Sequence, residues 1–165
     1  MRKQRLFVLI STIFIVILDQ LSKMQVLSFT NGQTTRENFF KIDGLLGFCY
    51  IKNEGAAFGM LADHRWVFMS ATSLLIIAVT AYLFFKKIND KLLLISSVMV
   101  VGGGIGNMID RIAYGYVVDF IEFLFVDFYV FNIADSFVVV GCGLMIIYII
   151  LDSIKSYKNK EISNE

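Results

Sequence analysis

The chain has 165 residues, of which 57% are hydrophobic and 18% charged, with a mean hydropathy of +0.70. A charged share well below the roughly 25% of soluble domains is membrane-protein composition, and spans of about 20 residues each leave little chain for a separate soluble catalytic domain. The net charge of +1 gives no ground for a nucleic-acid or other polyanionic partner.

Four apolar runs stand out, at 6–27, 66–85, 92–109 and 131–151. The second holds no charge in 20 residues, enough to cross about 30 Å of hydrocarbon at 1.5 Å per residue. The first could instead be a signal peptide, with MRKQR as basic region and LFVLISTIFIVIL as apolar region, but no A-x-A-like site follows and the apolar pattern resumes in LSKMQVL. It is read as a span. Arg2, Lys3 and Arg5 before the first run, Lys86, Lys87 and Lys91 between the second and third, and Lys155, Lys158 and Lys160 after the fourth hold nine of the 15 basic residues. With four spans these flanks share one side, so both termini are expected in the cytoplasm.

The outward segment 28–65 is too long for a simple connection. TNGQ marks a turn, and FFKIDGLLGFCYIKNEGAAFGM mixes alternation with glycines. A small twisted sheet on the outer membrane surface is expected there. Cys49 and Cys142 read as small apolar fillers, not as a disulfide framework.

Ionisable groups within or beside spans need an explanation, because their burial is costly. Asp19 and Lys23 are four apart and share a helix face; the plain reading is a structural ion pair that snorkels or braces a neighbouring loop. In GGGIGNMIDR, Gly102 and Gly106 form a small-xxx-small pair that lets another helix approach closely. Asn107 and Arg111 share a face near the outer end of the third span. Packing or capping would account for Asn107, and neutralisation of Asp110 or another nearby carboxylate for Arg111.

The stretch VVDFIEFLFVDFYVFNIADS, 117–136, places four carboxylates among apolar residues. Asn132 and Asp135 share a face at the outer start of the fourth span. If spans three and four are neighbours, a short connection brings Asp119 and Asp135 together at the outer rim of the hydrocarbon. Two carboxylates in a low-dielectric pocket tend to hold one proton between them. The charged member can then take a proton from water while the neutral member gives one to a carbonyl oxygen, the chemistry of aspartic peptidases. Glu122 and Asp127 read as solvated or interfacial. A single histidine, His64, excludes an HExxH zinc helix, no G-x-S-x-G is present, and a serine-lysine dyad on Lys23 has no distinctive spacing.

Four blocks in order, DQLSK (19–23), NEGAAFG (53–59), GNMIDRIAYGYVVDF (106–120) and FNIADS (131–136), resemble the motifs of lipoprotein signal peptidase, also called signal peptidase II. The resemblance implies an integral membrane, mainly α protein with four transmembrane helices and a small extracytoplasmic β-rich cradle. It implies a bacterial inner-membrane aspartic endopeptidase that cuts prolipoproteins before a diacylglyceryl-modified cysteine. Asp119 and Asp135 would be the catalytic dyad. Asn53, Gly55, Asn107, Arg111, Asn132 and Ala134 would line the site or position the substrate, with Asp19 and Lys23 in supporting roles. Water is the nucleophile, so no metal or organic cofactor is expected; the partners are the prolipoprotein and membrane lipid, and the enzyme is expected as a monomer. The rival readings are a small transporter relaying protons through Asp19, Asp119 and Asp135, and a membrane subunit whose polar residues join helices. Carboxylates clustered at one rim and the lack of an internal repeat argue against the first.

Overall fold

Residues 1–55 and 65–162 are described by the computed structural model, with the side chains of 65–68 and 160–162 left aside. The part of the NEGAAFG block beyond Gly55, and His64, lie outside the described residues. In chain order the elements are α1 (Arg2–Phe29), β1 (Thr35–Ile42), β2 (Leu46–Asn53), α2 (Arg65–Phe85), α3 (Lys91–Ala113), β3 (Val117–Phe123) and α4 (Ile133–Ile162).

Helices α1, α3 and α4 are long and apolar enough to cross a membrane, and α2 carries a shorter described apolar stretch, Met69–Phe85. Each helix runs past the apolar pattern that announced it, because its boundaries are set by backbone capping and not by hydrocarbon. Asp90 starts α3 by accepting from the Leu92 and Leu93 amides at 2.8 and 3.1 Å. At the other end of α4 the polar SIKSYKNKEI segment continues the helix. Its 30 residues reach about 45 Å, longer than a bilayer core.

The central helix is α3, and its glycines explain how it can touch three neighbours. A Cβ at Gly102 would meet Ile15 of α1, one at Gly103 the Ala134 carbonyl of α4, and one at Gly104 Ile76 of α2. At Gly106 it would strike both the Asp19 carboxylate, at 2.6 Å, and the Ala134 methyl, at 3.2 Å. The Gly102–Gly106 pair thus receives α1, whose contacting residues Ile15 and Asp19 are also four apart. Val8, Ile15, Leu83, Val98 and Val101 pack around this axis. At the basic end, Gln4 donates to the Leu83 and Lys86 carbonyls at 2.7 and 2.9 Å, and Arg5 donates to that of Phe84 at 2.8 Å. Carbonyls at the end of α2 that its own helix leaves open are so satisfied by α1.

The three strands form an antiparallel sheet in the order β1-β2-β3. The third strand was read in the sequence only as a connection, yet it supplies the inner edge. Ile51 pairs with Asp119 and Asn53 with Val117. Val26, Tyr50, Val118 and Phe120 bury the face turned to α1. The TNGQ turn leads into the sheet with Asn31 and Gly32 at positive φ, 52° and 69°. Across the free edge of β3, the Phe131 amide donates to the Ile121 carbonyl and the Phe131 carbonyl accepts the Phe120 and Ile121 amides, all within 2.7–2.8 Å. This return sets the start of α4 beside Asp119.

The steric reading is directly testable. Gly103→Ala would press a methyl on backbone that cannot move aside, and overpacking of this kind costs about 1–3 kcal/mol, more than the roughly 1 kcal/mol that alanine gains over glycine in a helix. Gly143→Ala meets nothing within 4 Å. Thermal unfolding in detergent should show a lower Tm for the first variant and an unchanged or higher Tm for the second.

Candidate active site

The site forms where the ends of α1 and α3, the inner edge of the sheet and the first turn of α4 converge. Asp119 and Asp135 both line one cleft of about 930 Å³. Its walls also include Asn53, Arg111, Ile51, Val117 and, from α4, Val138 and Val139.

Asn132 joins the two carboxyl groups. Its Nδ2 donates to Asp119 Oδ1 at 2.7 Å and to Asn107 Oδ1 at 3.0 Å. Its Oδ1 accepts from the Asp135 amide at 2.8 Å, while its own amide donates to Asp135 Oδ2 at 3.2 Å. The last two bonds are a reciprocal cap, in which the residue before the helix and the third helical residue satisfy each other's amides. Asn132-x-x-Asp135 is therefore both the start of α4 and the floor of the site. The second Asp119 oxygen accepts from Asn53 Nδ2 at 2.8 Å, and Asn53 Oδ1 holds the Gly55 amide at 3.1 Å. The second donor on Asp135 is Asn107 Nδ2, at 2.7 Å.

Behind the cleft lies a buried polar cluster. Asp19 and Lys23 pair at 2.9 Å with 0% and 2% of their side chains exposed, so this pair is sealed inside and does not snorkel. Lys23 Nζ also donates to Asp110 Oδ2 at 2.9 Å and to Asn107 Oδ1 at 3.0 Å, which gives each of its three protons an acceptor. The remaining Asp19 oxygen accepts the Ala134 amide at 2.9 Å, in the first turn of α4. Asp110 accepts from Gln20 at 2.9 Å and from the Val118 amide at 3.1 Å, fastening β3 to the helices. Ala134 is fully buried and sits between Gly103 and Gly106, where a larger side chain would force α3 and α4 apart.

All ten residues singled out in the sequence belong to one connected set of bonds: Asp119, Asp135, Asn53, Asn107, Asn132, Asp19 and Lys23 through their side chains, Gly55 and Ala134 through backbone amides bonded to Asn53 and Asp19, and Arg111 through the backbone carbonyl of Asn107. Gly55 and Arg111 meet each other, Arg111 Nη2 lying 3.4 Å from the Gly55 carbonyl. Of the two alternatives for Arg111, Lys23 pairs directly with Asp110, while Arg111 lines the cleft near Asp135 and Asp119 with its Nη1 on the Asn107 carbonyl at 3.3 Å. Glu122, half-exposed, accepts from Asn38 at 2.9 Å and, with Asp127, lines the outer part of the cleft. Sequence reasoning missed Gln20 and gave Asp110 no role of its own. Spacing within one helix carries no signal for either, since both depend on the α1 turn that holds Asp19 and Gln20 facing the 106–110 turn of α3.

Burial, and next the neighbouring Asp135, pushes the Asp119 carboxyl up to about 7; amide donors from Asn53 and Asn132 and the charge of Lys23 oppose this. In this environment one carboxyl can hold a proton near neutral pH while its neighbour accepts one, an arrangement suited to general acid and base catalysis.

Helices that cross a bilayer, a capping sheet and an acidic cleft between them define a membrane-embedded enzyme. Residues 11–151 match the family described as signal peptidase (SPase) II, and the chain belongs to that family of aspartic endopeptidases, which removes signal peptides from prolipoproteins. It is 39% identical over 150 residues to the lipoprotein signal peptidase of Clostridium tetani, covering 89% of this chain and 93% of that one. It is 40% identical over 145 residues to the lipoprotein signal peptidase of Streptococcus pyogenes serotype M5, covering 88% and 93%. A solved bacterial membrane enzyme superposes with a TM-score of 0.79 at 30% identity over 89% of each chain. A second gives 0.75 at 30% identity over 87% and 92%.

Two stability measurements examine this geometry. Asp110→Ala leaves Lys23 short of a counter-charge in the interior, a loss of about 3–5 kcal/mol by analogy with other broken buried pairs, and should appear as a marked fall in Tm. The raised Asp119 value has a definite sign. Its stabilising contribution is complete below the unfolded value of about 4 and is lost as pH rises through about 7. The Tm of Asp119→Asn relative to wild type should therefore improve between pH 5 and pH 8.

Proposed function

We propose that Asp119 and Asp135 are the catalytic dyad of this signal peptidase, and that it cleaves diacylglyceryl-modified prolipoproteins immediately before the lipidated cysteine. The observation that carries the reading is that both carboxyl groups line the same cleft and are joined through one side chain, Asn132. In this reading the pair shares one proton; Asp135, which accepts from Asn107 Nδ2 and the Asn132 amide, is assigned the part of base, and Asp119 that of acid. Asp135 takes a proton from a water whose oxygen attacks the scissile carbonyl carbon, while Asp119 gives its proton to the carbonyl oxygen. Asp135 then passes the proton it took from water to the amide nitrogen while a hydroxyl of the tetrahedral diol returns one to Asp119; the C–N bond breaks, the signal peptide leaves with a new carboxyl terminus, and the lipidated cysteine becomes a new amino terminus with the dyad restored.

The substrate's form fits the walls. The cleft opens past Val138 and Val139 on α4, and Val139 is 60% exposed on the lipid-facing surface. An acyl-anchored cysteine can enter from the bilayer side, and its chains add binding energy at about 0.8 kcal/mol per buried CH₂. Asn53 and Arg111 stand where an extended peptide backbone would pass. Phe125, Val126, Phe128 and Tyr129 are exposed on the loop beside the cleft, and Phe40, Ile42 and Leu45 on the β1-β2 hairpin; such a surface suits the interface of a bilayer. The distribution of Lys and Arg supports a cytoplasmic position for both termini and an extracytoplasmic one for the cleft, in a bacterial inner membrane.

Purified protein incubated with a lipidated and an unlipidated prolipoprotein should cut only the first. Asp119→Asn and Asp135→Asn should each lose cleavage by several orders of magnitude while still inserting and unfolding cooperatively. Full activity in either would remove the dyad. The rate should be bell-shaped in pH, and on the alkaline side it should fall as the pair loses its remaining proton, near pH 7.

A further inference from the structure

Asn107 was expected to meet substrate, but its amide is committed elsewhere. Its Oδ1 accepts from Lys23 Nζ at 3.0 Å and from Asn132 Nδ2 at 3.0 Å. Two donors on one atom fix the orientation of the carboxamide, since a flipped amide would point its N–H bonds at both. The Nδ2 group is thereby aimed at Asp135 Oδ1, 2.7 Å away. The donor behind it is a cation, 2% exposed, and its other two protons are held by Asp19 and Asp110. Hydrogen bonds in series polarise one another in a low-dielectric interior, so a charged donor at one end strengthens the bond at the other. Asp119 receives its two bonds from the neutral amides of Asn53 and Asn132, although Asn132 also touches Asn107. The two carboxyl groups are therefore inequivalent, and the difference originates in α1.

We propose that Lys23 is a positioning residue for the reaction: acting through the Asn107 carboxamide, it holds Asp135 in the geometry and charge state of the base without touching substrate. The proposal rests on the dyad reading. Among the described residues, the charged groups facing Asp135 are Asp119 on β3, Arg111 on α3 and Lys23 on α1. Asp19 and Asp110 lie on the far side of Lys23. Arg111 lines the cleft and is open to change when substrate enters, whereas Lys23 is sealed and constant.

The test is the pH dependence of kcat/KM with a lipidated prolipoprotein in detergent micelles. Lys23→Met combined with Asp19→Asn removes the cation together with one of its two anions. Asn107→Ser keeps Lys23 paired with both aspartates but is too short to link it to Asp135. In either variant the acid limb of the profile should move about one unit to higher pH, a loss of about tenfold on that limb, with kcat reduced and KM changed less than about twofold. Lys23→Arg should restore much of the limb. Should the double variant fail to fold, Asn107→Ser decides alone. Wild-type limbs in folded Asn107→Ser, with any loss of rate explained by less folded enzyme, would overturn the proposal and leave Lys23 a brace. That result differs from failure of the dyad reading, which would appear as activity in Asp119→Asn or Asp135→Asn.

Discussion

The ammonium group of Lys23 is enclosed, 2% exposed, within a bundle whose core is built largely of apolar contacts. Such a charge is tolerated only when every proton it carries has a partner, and Asp19, Asp110 and Asn107 meet that condition at 2.9–3.0 Å. Each of these partners then reaches beyond its own helix. Asp19 fastens the first turn of α4, Asp110 the first residues of β3, and Asn107 the side chains of Asn132 and Asp135. Satisfying one buried cation therefore fixes the relative positions of the helices and the strand that bear the two carboxyl groups of the cleft.

The glycines of α3 belong to the same constraint. Ionic contacts of this length require α1 and α4 to lie close to α3, and side chains at Gly103 or Gly106 would prevent it. In lipid there is no hydrophobic gain from helix association, so close packing and polar bonds must supply the specificity. Here both are concentrated on the turn 103–110. The outer part of the protein is held differently. Val26 and Tyr50 join Val118 and Phe120 in an apolar layer that seats the sheet on α1, and the bond from Asp110 to the Val118 amide connects that layer to the charged cluster.

Signal peptide cleavage within a membrane requires water and ionisable groups in a place that tends to exclude both. The cleft reconciles these demands by lying at the junction of helix ends and sheet. One wall is strand backbone with the Asp119 side chain, another is the capped N-terminus of α4 with Asp135, and Val138 and Val139 add an apolar side. Capping and cleft share the same atoms: the bonds that finish α4 also restrain Asp135 and Asn132. Changes to the cap at Asn132 are consequently changes to the site.

The fold class was legible because hydrophobic runs and basic flanks report directly on the solvent that surrounds each segment. Asp119 and Asp135 were legible because a carboxylate in an apolar stretch has few inexpensive explanations, and Asp19 and Lys23 because helical spacing places them on one face. Gln20 and Asp110 were not, since their meaning depends on which turns of α1 and α3 lie opposite one another. The assignment of 117–123 as the third strand was also hidden, because a β ladder is a pairing and no single segment contains it. By itself the sequence determined which groups had to be buried and on which elements they lie. Only the tertiary structure decided which donor meets which acceptor, because hydrogen bonds and ion pairs between distant segments depend on separations of a few tenths of an ångström that local spacing cannot specify.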